Sequence, residues 1–241
     1  MGRDHDPKLT AMPIQTDRIQ ALCFDVDGTL RDTDDQLVLR LVRYLRWFHL
    51  FFPNRDPQPI ARKFIMAIEN PGNLLLGLPD RLGIDHYLAA ASEKLSLLRP
   101  GKKPGNFLII PGVKGMLARL HSSYPMAVVS ARHERNTMQF LEHFGLQSYF
   151  KVIVTSQTCR HTKPFPDPVL HAAREMGVPP GNCLMIGDTV VDIRSGRSAG
   201  AQTLGVLCGF GEEAELRRAG ADHILPDTPN LLDLPGIRSD R

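Results

Sequence analysis

Six residues carry the chemistry this sequence could perform: Asp25, Asp27, Ser130, Lys163, Asp188 and Asp192. Asp25 and Asp27 stand two apart, so in an extended stretch their carboxylates point the same way. If Asp188 joins them in one crevice, three carboxylates repel unless something positive holds them together. A hard divalent cation that prefers oxygen ligands, Mg²⁺, is the simplest counterion. Lys163 adds a second, movable positive charge of the kind an anionic phosphoryl group requires.

Those residues meet only if the elements around them place them together. Ile19 to Phe24 is a short apolar run that ends in Asp25-Val26-Asp27-Gly28-Thr29, which reads as a buried strand feeding a tight loop. Further strands are expected at Met126 to Val129, Val152 to Val154, Cys183 to Ile186, Thr203 to Leu207 and His223 to Leu225. Helical patterns lie between them and close at Gly145, Gly177, Gly200 and Gly220. Such alternation predicts an α/β fold, a doubly wound parallel sheet. Ser130 then follows one strand, Asp188 another and Asp25 a third. In an open parallel sheet the carboxyl ends of the strands are where ligands bind.

Residues 1–18 are polar and aperiodic and are expected to be a tail. Between 34 and 107 the rhythm is helical throughout. Leu37, Leu41, Leu45, Phe48 and Phe52 recur at spacings of four and three, then Ile60, Phe64 and Ile68, then Ile84, Leu88, Ala91, Leu95 and Leu98. The stretch from Arg99 to Gly105 carries two prolines and two glycines and ends that block. The expected organisation is a catalytic core of residues 19–33 and 108–241, interrupted by a helical cap inserted at 34–107.

Asp25-Val26-Asp27-Gly28-Thr29-Leu30, Ser130, Lys163-Pro164 and Gly187-Asp188-Thr189-Val190-Val191-Asp192 resemble the four ordered motifs of the haloacid dehalogenase superfamily of phosphohydrolases. Lys163 to Phe210 is similar to its phosphoglycolate phosphatase group, through Pro166, Asp167-Pro168, Gly196-Arg197 and Ala199-Gly200. The likeness covers about 19–35 and 108–226, and the insert matches in position and length alone. The resemblance implies a core of Rossmann-like type and a phosphatase that works through an aspartyl-phosphate. It casts Asp25 as nucleophile and Asp27 as acid and base. Mg²⁺ would be held by the carboxylates of Asp25 and Asp188 and the backbone carbonyl of Asp27. Lys163, Ser130 and the backbone at Ala131 would grip phosphate oxygens, and Asp192 would reach the metal's water shell or orient Lys163. Ala131-Arg132 departs from the Asn that often follows the Ser or Thr in the family.

Plainer roles compete for several residues. An Asp at a strand end is often a turn or cap former, but Asp25, Asp27, Lys163 and Asp188 in register argue against that. Asp32, Asp34 and Asp35 read as capping and solvation, and Ser130 could cap a helix starting at Arg132. His133, His143, His161 and His171 lack the spacing of a zinc site. Gly205 to Gly211 lacks the dinucleotide pattern after a first strand. The apolar helix around His49 to Phe52 is expected to pack inside its own domain or at a dimer contact rather than on a membrane.

Composition narrows the partners. With 241 residues, 42% hydrophobic and 23% charged, the chain has the balance of a soluble globular protein. A net charge of +3 with 1 Trp and 4 Tyr gives no nucleic-acid footprint. There is no run of about 20 apolar residues for a membrane span and no apolar leader near Met1. The 4 cysteines form no C-x-x-C pair and read as reduced thiols of a cytoplasmic protein. The expected partner is a small phosphorylated metabolite, met by a monomer or homodimer. Phosphomutase, pyrophosphatase and nucleotidase are the alternative activities on the same core. A dehalogenase is disfavoured because a halide needs no proton from Asp27, and a phosphonatase would need a cap lysine, for which neither Lys63 nor Lys94 is singled out. A binding module that merely keeps the fold would be expected to lack one of the charged set.

Overall fold

A computed structural model describes residues 14–32 and 107–239. The chain divides into two units, Met1–Thr33 with Ile109–Arg241, and Asp34–Leu108. The helical patterns expected from Leu37 to Leu98, with Lys63 and Lys94 among them, lie outside the described residues.

Apolar runs with no polar alternation fit strands covered on both faces, and that is where the core strands lie. β1 (Ala21–Phe24), β4 (Met126–Val129) and β6 (Cys183–Gly187) are buried along their whole length. β5 (Val152–Val154), β7 (Gln202–Val206) and β8 (His223–Leu225) complete a six-stranded sheet in the order β5-β4-β1-β6-β7-β8. All its pairings are parallel, with Leu22 opposite Met126 on one side and Leu184 on the other. Two short strands, β2 (Arg31–Asp32) and β3 (Leu108–Ile109), form a separate two-stranded sheet.

The helices are α1 (Val113–Leu120), α2 (Glu134–Phe144), α3 (Asp167–Met176), α4 (Val190–Ser198) and α5 (Glu213–Ala219). α3 turns Val169, Ala172, Ala173 and Met176 onto Ala21, Cys23, Ala127 and Val129 of the sheet. α4 packs against β6 and β7. Small residues on both sides let helix and sheet approach closely, and bulkier ones such as Leu22 are wholly enclosed. Cutting Leu22 to Ala would cost about 2–5 kcal/mol. Gly145, Gly177 and Gly220 take the left-handed conformation as helix ends, and Gly200 does so directly after Ala199, the residue that caps α4.

The topology fixes where ligands meet the fold. From β1 the chain adds β4 and β5 on one side, then crosses to place β6, β7 and β8 on the other. Strand order thus reverses between β1 and β6, and the crevice beyond their carboxyl ends is the switch point of a doubly wound sheet.

Some details differ from expectation. Within the stretch read as a polar tail, Thr16–Arg18 form a 3-10 turn. Gln15 exchanges hydrogen bonds with Gln202 at 2.7 and 3.1 Å, and Thr16 Oγ1 donates to the Pro235 carbonyl at 2.8 Å. Residues 15–16 are tied to the core because β7 and the C-terminal segment present partners for them. All four cysteines are free thiols. Among the described residues no helix is long and apolar enough to cross a membrane.

Candidate active site

Asp25 is the first residue past β1, and its N–H donates to the Ile186 carbonyl of β6 at 2.9 Å. The chain then folds back, with the N–H groups of Leu30 and Arg31 both donating to the Val26 carbonyl at 2.9 and 2.8 Å. The turn needs Gly28 for two reasons. Its φ is +78°, and a Cβ there would stand 2.3 Å from Asp188 Oδ2. Asp188 is the first residue past β6, fully buried, and its Oδ2 accepts from the Phe210 N–H at 2.8 Å. Thr29 Oγ1 stands 3.5 Å from its Oδ1.

Asp192 sits in the first turn of α4, one helical turn beyond Asp188. Its Oδ2 accepts from the N–H and the hydroxyl of Thr189 at 3.0 and 2.6 Å, which caps the helix. Its Oδ1 accepts from Lys163 Nζ at 2.6 Å. The same ammonium donates to Asp25 Oδ1, also at 2.6 Å. Lys163 comes from the loop between β5 and α3, which is held to α4 by the Ser195 hydroxyl donating to the Phe165 carbonyl at 2.7 Å. One lysine thus bridges a carboxylate from the loop after β1 and one from the first turn of α4, and all three groups are buried. Of the two roles expected for Asp192, the geometry shows the contact with Lys163 and also sets an oxygen of Asp192 within reach of Asp25 and Asp188.

Burial raises the Asp25 pKa from its ordinary value to about 7, opposed by Lys163 and reinforced by Asp192 and Asp27. Asp188 is also raised, by burial first and then by Asp192 and Asp25, although the Phe210 N–H and Lys163 pull the other way. Burial would lower Lys163, but the Asp192 and Asp25 carboxylates outweigh it and raise the ammonium above its ordinary value. Asp25, Asp188 and Asp192 each offer an oxygen within 4.8 Å of the others. One lysine against three buried carboxylates leaves the cluster short of positive charge, and an all-oxygen donor set fits a hard divalent cation.

Asp27 is placed apart from that cluster. Its Oδ1 lies 3.4 Å from Arg31 Nη1, and its Oδ2 accepts from Arg132 Nε. The turn from Val26 to Arg31 gives the two first-loop carboxylates different neighbours, so alternation alone does not describe them. Its backbone carbonyl is the group the family likeness assigns to a metal. Ser130, just past β4, is buried and hydrogen-bonds through its N–H to the Val154 carbonyl at 2.9 Å. It does not cap a helix from Arg132. α2 starts at Glu134 after His133, and the Ser130 hydroxyl instead accepts from the Arg132 N–H at 3.1 Å. Ala131 lies between them, half-buried. Arg31 and Arg132 were missed as site residues. The signal for Arg31 was its place four residues after Asp27, and for Arg132 its place two after Ser130.

The sequence model of the haloacid dehalogenase-like hydrolase family matches residues 84–206. A phosphoglycolate phosphatase of Nitrosococcus oceani is 31% identical over 226 residues, covering 89% of this chain and 96% of that one. The chain belongs to the haloacid dehalogenase-like hydrolases. Pyrophosphatase PpaX of Halalkalibacterium halodurans is 29% identical over 226 residues, covering 92% of this chain and 99% of that one. A haloacid dehalogenase-like hydrolase from Streptococcus pneumoniae superposes with a TM-score of 0.63 at 23% identity, covering 90% of this chain and 98% of that one. A Pseudomonas syringae hydrolase does so at 0.60 and 26%, covering 89% and 96%. The matched family segment contains Ser130, Lys163, Asp188 and Asp192 and starts after Asp25 and Asp27. Asp25 joins the same cluster through its contact with Lys163.

Proposed function

We propose that this haloacid dehalogenase-like hydrolase is a Mg²⁺-dependent phosphatase that cleaves a small phosphate monoester through an aspartyl-phosphate on Asp25. The observation that carries the reading is the Lys163 bridge between Asp25 and Asp192 at the switch point, with Asp188 alongside. In this reading Lys163 fixes one oxygen of Asp25 and so orients the other for in-line attack on phosphorus. Its charge also faces the phosphoryl oxygens as the transition state spreads charge onto them. The Ser130 hydroxyl and the backbone at Ala131 hold those oxygens from the β4 side. Asp27 gives a proton to the leaving oxygen and later takes one from the water that opens the phosphoenzyme. To do so it exchanges Arg132 for the leaving group. Mg²⁺, held by Asp25, Asp188 and the Asp27 carbonyl, would neutralise charge on the transferring phosphoryl group.

Substrate class follows from likeness to relatives whose names are phosphoglycolate phosphatase and pyrophosphatase. Both names describe a phosphoryl group carried on a small anionic leaving group, and phosphoglycolate is the first substrate to test. The experiment is phosphate release from phosphoglycolate, pyrophosphate, a hexose phosphate and a nucleoside monophosphate, each with Mg²⁺ and with excess chelator. Turnover of at least one small substrate that chelation abolishes and Mg²⁺ restores is expected. Undiminished turnover in chelator contradicts the metal, and isomerised sugar phosphate without phosphate release replaces hydrolase by mutase.

A further inference from the structure

The glycine-rich stretch Gly205 to Gly211 has no part in the chemistry so far, yet its second half closes on Asp188. Phe210 donates its N–H to Asp188 Oδ2 at 2.8 Å. A Cβ built on Gly209 would stand 2.0 Å from that oxygen, 2.4 Å from Cγ and 2.6 Å from Cβ of Asp188. A Cβ on Gly211 would stand 1.9 Å from the Asp188 backbone oxygen. The loop after β1 approaches the same carboxylate through Gly28. The two loops are joined where Cys208 Sγ reaches the Gly28 carbonyl at 3.3 Å and where the Thr228 hydroxyl, 3.4 Å from that Sγ, donates to the Thr29 carbonyl at 2.6 Å.

Gly28 needs its glycine for its φ as well as for space. Gly209 and Gly211 do not lie in the left-handed region, so their backbones would accept an L side chain. What refuses the side chain is Asp188 itself. Real carbon–oxygen contacts below 3.0 Å are essentially never seen at a Cβ, so any larger residue at 209 must push the carboxylate or the loop aside.

We propose that the loop Gly209–Gly211 is a positioning element for the metal ligand Asp188: the bare Gly209 admits the carboxylate, and the Phe210 N–H holds Oδ2 and so fixes how the carboxylate is presented to a cation. This rests on the reading of Asp188 as a metal ligand. Groups that orient a ligand from outside the metal's own shell typically govern affinity by roughly 10–100-fold.

The test is calorimetric titration of the full chain with Mg²⁺, without substrate, for the parent, Gly209→Ala and Gly115→Ala. Gly115 lies in α1 with nothing within 4 Å of a built Cβ, so it carries the same added methyl in open space. Expected is a Mg²⁺ dissociation constant weakened roughly 10–100-fold in Gly209→Ala and unchanged in Gly115→Ala, with circular dichroism the same in all three. A folded Gly209→Ala that binds as tightly as the parent overturns the proposal and leaves the metal reading standing. A parent that binds no Mg²⁺ removes both. Should Gly209→Ala fail to fold, Asp188→Gly and the double variant Asp188→Gly/Gly209→Ala decide. Similar thermal midpoints are expected, since the three atoms nearest a Cβ at 209 all belong to the Asp188 side chain and are gone, and a double variant that melts far lower overturns the proposal.

Discussion

Arg132 donates through Nε to Oδ2 of Asp27, a contact between residues 105 apart in sequence that joins the loop after β4 to the loop after β1. Arg31 stands at the other oxygen. In the proposed reaction Asp27 is therefore held at rest by both arginines, and Arg132 would position it before it turns to the leaving group.

If so, losses should depend on the leaving group. Asp27→Asn should slow alkyl phosphate hydrolysis roughly 10²–10⁴-fold and p-nitrophenyl phosphate hydrolysis far less, because that phenolate departs without a proton. Arg132→Leu should show the same bias at a smaller scale, roughly 10–100-fold for the alkyl ester, as expected from misplacing a catalytic group. Equal losses on both esters would detach Arg132 from proton transfer.

Lys163 is the cation shared by Asp25 and Asp192, with 4% of its side chain exposed. Lys163→Met should leave two buried carboxylates without their cation and destabilise the fold by about 3–5 kcal/mol, more at pH 8 than at pH 5.5, where the carboxylates can take up protons instead. Turnover should collapse, and Lys163→Arg should not restore it, because a planar fork does not replace a compact ammonium between two oxygens. Denaturant melts and kinetics of the two variants check both halves. An Arg variant with parental kinetics would contradict the bridge.

The raised carboxylates give a pH dependence with a definite sign. The Asp25 pKa is raised to about 7, and Asp188 is raised in the same direction. In metal-free protein the folded state therefore binds protons more tightly than the unfolded chain. The stability contributed by these groups is fully present below the ordinary carboxylate range and is lost as pH rises through about 7. Mg²⁺ competes with the same protons, so its affinity should climb between pH 5.5 and 7.5. Thermal melts in chelator should fall across this window, and the gain from added Mg²⁺ should grow. Melts that rise with pH in chelator, or a Mg²⁺ effect largest at pH 5.5, would contradict the assignment.

Strands were readable where apolar runs are bounded by turn residues: Met126–Val129, Val152–Val154 and His223–Leu225 have the ends expected of them. Because Asp25, Ser130 and Asp188 directly follow strands, parallel order was enough to bring them to one edge of the sheet, whereas Lys163 arrives from within the loop between β5 and α3. α1 was not anticipated, though Val113, Met116, Leu117 and Leu120 repeat at helical spacing, because it opens on Gly112 at φ 88° without a Ser, Thr or Asp cap. The partners of Asp27 and Asp188 were hidden for another reason. Arg132 and Phe210 reach them from separate loops, and loops carry no period from which such a contact can be inferred.

The central claim is that Asp25 carries the phosphoryl group between substrate and water. Stereochemistry at phosphorus tests it most directly, using a phosphorothioate monoester made chiral with ¹⁶O and ¹⁸O and turned over in ¹⁷O-water, so that the thiophosphate released is itself chiral. Two successive in-line displacements, first by Asp25 and then by water, each invert the centre, so the account predicts net retention, with no turnover in Asp25→Asn. Net inversion in the parent enzyme would mean a single direct attack by water, and Asp25 would then be no nucleophile.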